Sequence, residues 1–150
     1  MLRRLQNIVG KNIDGQFAAE VVMKRGLLVQ KDGTTKKIVL PTSQEGLFWL
    51  DADKQPTGLM AYEGEISDYD TRLDTIQVGE FGQLEKPVSG ERYATTEYVE
   101  AGLVVDGYVA VETTVGADQG KIIHSATATP MVYRGLHNDN GNQLAIIEVL

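Results

Sequence analysis

Cysteine is absent from the 150-residue sequence, and histidine occurs only twice. Without thiols the chain can have no disulfide framework, no thiolate zinc site and no cysteine nucleophile. His124 and His137 are too few for a histidine-rich metal site, and neither Gly-x-Ser-x-Gly nor His-Glu-x-x-His is present. The sequence therefore predicts a non-catalytic protein that needs no metal ion and no organic cofactor.

Long apolar runs are also absent. No stretch approaches the roughly 20 consecutive apolar residues that a membrane-spanning helix needs. The basic start of the chain resembles that of a signal peptide, but polar residues interrupt the apolar run that should follow. Hydrophobic residues make up 42% of the chain and charged residues 23%, as in ordinary globular proteins. We expect one soluble domain that makes no membrane contact.

Charge is spread unevenly along the chain. Residues 1–37 carry a net charge of +5, whereas the remaining residues carry −12. A basic segment of this kind can dock on an acidic surface. Nucleic acid is a disfavoured partner, because the acidic remainder would repel phosphates and Phe17 is the only aromatic residue in the basic segment. The alternative is that the basic residues are ordinary solvated positions on strands and turns: Lys24, Arg25, Lys31, Lys36 and Lys37.

Turn residues divide the chain into short apolar segments. Asp32-Gly33 separates two apolar segments and predicts a hairpin with Gly33 at positive φ, and Asn140-Gly141 predicts a second hairpin. Segments 108–111 and 121–124 flank a further glycine-containing turn. We therefore expect a mainly β fold, a small barrel or sandwich of short antiparallel strands with one or two short helices.

Helical signals are weak. Thr96 is a candidate N-cap for one short turn that Gly102 would end. Residues 2–9 have a helix-like apolar stripe that Gly10 ends too early for an isolated helix. We predict an N-terminal arm or docking segment over residues 1–20 and a single β-rich domain over residues 21–150. The residues proposed for docking are Leu2, Arg3, Arg4, Leu5, Ile8, Val9 and Lys11.

The acidic residues show no clear binding pattern. Asp68, Asp70 and Asp74 occupy the first, third and seventh positions of a possible calcium loop, but the glycine and glutamate that such a loop requires are missing. Asp51 and Asp53 could be interpreted as a general acid and base, yet both border a Pro-Gly turn. A role in turns is therefore the better interpretation of Asp68 and Asp70, and also of Asp51 and Asp53.

The later part of the chain resembles a known family. The pattern is carried by Gly107-Tyr108-Val109-Ala110-Val111, by Gly120-Lys121-Ile122 and by Leu144-Ala145-Ile146-Ile147-Glu148-Val149. It is similar to the head decoration, or cement, proteins of tailed bacteriophages. The resemblance implies a virion protein, made in the host cytoplasm, that sits on the outer capsid surface. It also implies that copies, most simply trimers, bind the major capsid protein and bridge neighbouring capsomers.

Two other classes remain open. One is another virion subunit, such as a tail-tube or head-completion protein, although a continuous tail tube needs long reaching loops and this chain has short turns. The other is a free-standing carbohydrate-binding module. Such modules usually display exposed aromatic residues, whereas the single tryptophan, Trp49, lies in an apolar segment that predicts a core position.

Overall fold

The computed structural model of the chain describes residues 1–6, 13–52, 71–139 and 141–150. Within these ranges the regular structure is almost entirely β, which confirms the predicted fold class. The elements are β1 (Leu2–Gln6), β2 (Ile13–Ala19), β3 (Met23–Lys24), β4 (Leu28–Asp32), β5 (Lys37–Val39), β6 (Phe48–Asp51), α1 (Thr71–Asp74), β7 (Thr75–Ile76), β8 (Phe81–Glu85), β9 (Arg92–Thr95), β10 (Val109–Val111), β11 (Ile122–His124), β12 (Met131–Asp139) and β13 (Asn142–Val149).

Five of the strands form a closed barrel in the order β2-β5-β4-β6-β8. Its neighbours are antiparallel except β2 and β5, which run parallel. Apolar side chains that point inward from these strands fill the barrel, because alternate residues of a strand face opposite sides. They include Phe17, Val29, Ile38, Leu50 and Leu84.

A four-stranded antiparallel sheet, in the order β1-β9-β13-β12, packs beside the barrel. Strand β6 belongs to the barrel but contributes side chains to two hydrophobic cores. Leu50 packs in the core inside the barrel, whereas Trp49 packs with Tyr93 of β9 in a second core. The rings of Trp49 and Tyr93 lie 5.0 Å apart. The core position predicted for Trp49 is confirmed, since its side chain is fully buried.

The hairpin predicted at Asp32-Gly33 is confirmed, but its turn geometry differs from the prediction. Asp32 pairs with Lys37, and Lys36, rather than Gly33, has positive φ at 57°. The Asp32 carboxylate accepts hydrogen bonds from the backbone of Thr34 and the hydroxyl of Thr35. These bonds stabilise the turn without a left-handed glycine at its start, so the predicted positive φ at Gly33 is wrong.

The second predicted hairpin is also present and is longer than the sequence indicated. Asp139 of β12 pairs with Asn142 of β13, and Gly141 has a φ of 90°. The side chain of Asn138 accepts a hydrogen bond from the Gly141 N–H at 2.8 Å. Strands β10 and β11 form a further antiparallel pair, as segments 108–111 and 121–124 predict.

The two helical predictions are wrong where the structure describes them. Residues 2–6 form strand β1, because β9 offers the backbone partners that a two-turn helix lacks. Thr96 does not cap a helix. Tyr98, two residues later, instead forms an isolated β-bridge with Ile122. The N–H of Val99 donates to the carbonyl of Ile122. The predicted left-handed Gly102 does have positive φ, at 79°.

The N-terminal segment is built into both halves of the fold. Strand β1 lies at the edge of the four-stranded sheet, and β2 closes the barrel by pairing with β5 and β8. The described parts of residues 1–20 are thus integral strands, in contrast to the arm predicted from the sequence. Backbone pairing on both sheets explains why a segment with weak local propensity adopts this structure.

Candidate functional site

An ionic cluster lies at the junction of the sheet and the barrel. Arg4 of β1 donates to Asp51 at 2.9 Å and to Glu85 at 2.5 Å. Arg25, which precedes β4, donates to the other oxygen of Asp51 at 2.7 Å. Burial alone would lower the pKa of Arg4, but the bonds to Glu85 and Asp51 raise it above its ordinary value. Arg4 therefore stays charged and joins β1 to two barrel strands.

The cluster continues through a buried phenol. The hydroxyl of Tyr93 lies 2.6 Å from Glu91 Oε2 and 3.1 Å from Glu85 Oε1. All three side chains are fully buried. Burial, followed by the hydrogen bond to Glu91 and the charge of Glu85, raises the pKa of Tyr93. The Glu91 carboxylate also accepts from the backbone N–H of Val88, so the network fixes the segment between β8 and β9.

Several residues predicted to dock on a partner make internal contacts instead. Leu2 is buried in the core, Arg3 pairs with Asp139 at 2.7 Å, and Arg4 belongs to the ionic cluster. Leu5 is exposed. Ile8, Val9 and Lys11 lie outside the described residues. Of the seven residues predicted to dock, Leu2, Arg3 and Arg4 therefore lie on β1 and make structural contacts within the chain.

The acidic residues considered in the sequence analysis also have different environments. Asp51 is not a turn residue: it lies on β6 and is the acceptor for two arginines, which the turn interpretation missed. Its position two residues after the buried Trp49 is the signal that could have placed both on one strand face. Asp74 lies 2.7 Å from the α-amino group of Met1. Asp53, Asp68 and Asp70 lie outside the described residues.

The basic residues of the front segment mostly have acidic partners. Lys31 bonds Asp14 at 2.6 Å and lies 4.2 Å above the ring of Phe48. Lys37 pairs with Glu20 at 3.4 Å. The positive charge counted in the sequence is therefore partly neutralised on the surface of the barrel itself.

An exposed apolar surface lies at one end of the barrel. The backbone of Ala19 bonds both Gly79 and Glu80, which joins the segment after β2 to the turn before β8. Four large apolar side chains project from these two segments, and we call them the barrel-end patch: Val21, Val22, Val78 and Phe81. Phe81 is 67% exposed and Val78 is 63% exposed. Exposed large apolar groups that cluster on a surface mark interaction sites.

An apolar groove lies on another face, between the segment before β6 and the segment before β12. Its volume is about 580 Å³. Lys86 and Gln44 are among its polar residues, and the side chain of Gln44 bonds the backbone of Val111. The apolar part of the lining consists of Leu47, Phe48, Pro87, Ala128, Pro130, Met131 and Val149.

Comparison with protein-family models, curated proteins and solved structures gave no match for this chain. No helix among the described residues is long and apolar enough to cross a membrane. The fold and the two apolar surfaces are therefore the basis on which function is proposed.

Proposed function

We propose that the chain is a non-catalytic virion protein that decorates the outer surface of a tailed-phage capsid and stabilises it by bridging neighbouring capsomers. The resemblance described above supports this class. Its three motifs fall on β10, β11 and β13, which contribute Val109, Ile122 and Ile147 to one core. The three motifs therefore identify strands that pack in the core, and they do not identify a binding surface.

The observation that carries the proposal is the barrel-end patch. Val78 and Phe81, its two most exposed side chains, protrude into solvent, whereas Val22 also lines a cavity of about 430 Å³. A protruding apolar surface suits attachment to another large surface better than capture of a small molecule, which favours concave pockets. Glu20 and Glu80, next to the patch in sequence, would supply a polar rim.

We place the shell-facing surface at this patch, in contrast to the set predicted from the sequence. Leu2, Arg3 and Arg4 already have internal partners, and breaking those contacts to reach a capsid would cost stability. The barrel-end patch needs no such rearrangement. Several copies bound together, most simply as a trimer, would gain avidity of roughly 10²–10⁴ over a single contact.

The test begins with a search of the genome around this gene for a major capsid protein, from which bare shells are assembled. Purified protein is added to bare shells, and electron microscopy is expected to show regular density at fixed outer positions. A V78S/F81S variant should bind at least tenfold more weakly, because both side chains leave water only on binding. V115S is the matched control, since Val115 is 86% exposed and lies outside the patch.

Two results would overturn the proposal. One is a genome without a capsid gene, and the other is shells that stay bare at saturating protein. Binding that is unchanged in V78S/F81S would retain decoration but move the docking surface away from the barrel-end patch.

The sugar-binding alternative gains no support from the tryptophan. The one tryptophan of the chain is fully buried against Tyr93, so it forms no exposed stacking platform.

A further inference from the structure

A tight turn beside the four-stranded sheet displays two valines to solvent. We call residues 104–107 the valine turn. Gly107 N–H donates to the carbonyl of Val104 at 2.8 Å, and Asp106 has a φ of 66°. Val104 is 63% exposed and Val105 is 58% exposed. Tight turns usually carry Gly, Asn, Asp or Ser at such positions, so two exposed β-branched residues are not explained by the turn itself.

The valine turn is held rigidly against β12. Asp106 N–H donates to the carbonyl of Tyr133, and Tyr133 N–H donates to the carbonyl of Gly107. The Asp106 carboxylate also pairs with Arg134 at 2.5 Å. These contacts fix a left-handed aspartate, a conformation that costs free energy outside glycine. The two valines are therefore presented in one orientation, which lowers the entropy lost when they bind a partner.

The same chain carries a surface of complementary character. The groove described above is lined mainly by apolar groups and has Lys86, an exposed residue, at its rim. The valine turn is apolar, and Glu100, which precedes it, is exposed; the carboxylate of Asp106 is already paired with Arg134. An apolar projection beside one acidic side chain thus matches an apolar groove beside one basic side chain.

The turn and the groove cannot meet within one chain. They share no residue, and the contacts with Tyr133 and Arg134 hold the turn in place along β12. We propose that the valine turn of one copy inserts into the groove of a second copy. Two different surfaces in contact make a heterologous interface, which closes into a ring when the rotation between copies allows it.

This inference rests on the proposed function only for the number of copies. Attachment at a threefold axis of a capsid would set that number at three. The contact between copies itself follows from the two surfaces. It also leaves the barrel-end patch available for the shell, since neither surface includes Val21, Val22, Val78 or Phe81.

The test uses two variants that each remove one half of the contact. V104S/V105S removes the projection, and A128W fills the groove from an exposed position that lines it. Sedimentation equilibrium over a concentration series should show association of the unaltered protein and at least a tenfold loss of association in each variant. V115S, altered at an exposed valine outside both surfaces, should associate like the unaltered protein. Circular dichroism checks that each variant remains folded.

Mixing the two variants gives the decisive result. The A128W copy retains an intact valine turn, and the V104S/V105S copy retains an open groove. A heterologous contact therefore predicts a one-to-one complex that cannot grow further, although each variant alone is monomeric. Failure of the mixture to associate would overturn the proposal, as would a monomeric unaltered protein at every concentration or unchanged association in either variant.

Capsid binding is measured separately on the same proteins. A monomer that still decorates shells would overturn this inference alone. An associating protein that leaves shells bare would overturn the decoration proposal alone.

Discussion

Arg4 on β1 and Asp51 on β6 are joined by a 2.9 Å ion pair across the boundary between the four-stranded sheet and the barrel. The Asp51 carboxylate is only 7% exposed, whereas Arg4 is 32% exposed. The pair therefore ties the edge strand of the sheet to the face of β6 that points away from the barrel interior. Glu85 on β8 and Arg25, shortly before β4, extend the contact to two further segments on the barrel side.

Arg4→Gln should lower the free energy of unfolding by about 2–3 kcal/mol, as measured by urea denaturation. Removing one partner of a fully buried pair costs roughly 3–5 kcal/mol, and the exposed third of Arg4 reduces that cost. Arg92→Gln is the control, because Arg92 pairs with Glu148 while 47% exposed. It should cost less than about 1 kcal/mol. Equal effects would show that the junction adds nothing beyond a surface pair.

Leu2→Ala and Leu5→Ala distinguish a strand from a mobile arm. Leu2 is 4% exposed and packs in the core, whereas Leu5 on the same strand is 42% exposed. We expect Leu2→Ala to cost about 2–4 kcal/mol and Leu5→Ala less than about 1 kcal/mol. If neither change altered the thermal midpoint, residues 2–6 would be the dispensable arm that the sequence predicted.

Gly26→Ala should be strongly destabilising, by at least about 3 kcal/mol. Gly26 has a φ of 95°, and a Cβ there would lie 2.6 Å from the carbonyl oxygen of Met1 and would overlap the hydroxyl of Thr95. Gly33→Ala is the matched control, because Gly33 lacks positive φ and has open space around its Cα. We expect it to be neutral or stabilising by up to about 1 kcal/mol. A destabilised Gly33→Ala protein would restore the turn predicted from the sequence.

Tyr93 should make the fold sensitive to alkali. Its pKa is raised in the folded chain, so folding holds a proton that an unfolded tyrosine releases above about pH 10. The resulting stabilisation is present below that pH and is lost as pH rises further. Tyr93→Phe should cost about 1–3 kcal/mol at neutral pH, since it removes a donor from buried carboxylates.

The Tyr93→Phe protein should also lose stability less steeply than the unaltered protein above about pH 10, as measured by urea denaturation at a series of pH values. Tyr108→Phe, altered at a partly exposed residue, should show neither effect. An alkaline slope that is identical in the unaltered and Tyr93→Phe proteins would contradict the proposed role of the buried phenol.

Local sequence signals determined the hairpins of this protein and the apolar strands that flank them. Asp32-Gly33 and Asn140-Gly141 lie between apolar segments, and hairpins form at both because turn chemistry acts over a few neighbouring residues. The buried position of Trp49 likewise followed from its apolar neighbours. Even the error at Gly33 is local, since the Asp32 carboxylate supplies bonds that replace the expected left-handed glycine.

Tertiary structure decided what the polar and N-terminal residues do. Residues 2–6 resemble part of an amphipathic helix in isolation, and only pairing with β9 makes them a strand. Asp51 and Arg4 are 47 residues apart, and no local pattern records that they meet. Apolar periodicity reports the pattern of side chains within one segment of the sequence. An ion pair, a sheet edge or a groove depends instead on how segments distant in sequence are placed relative to each other. The sequence alone therefore determined the β architecture, and the placement of charge and exposed apolar surface required the assembled fold.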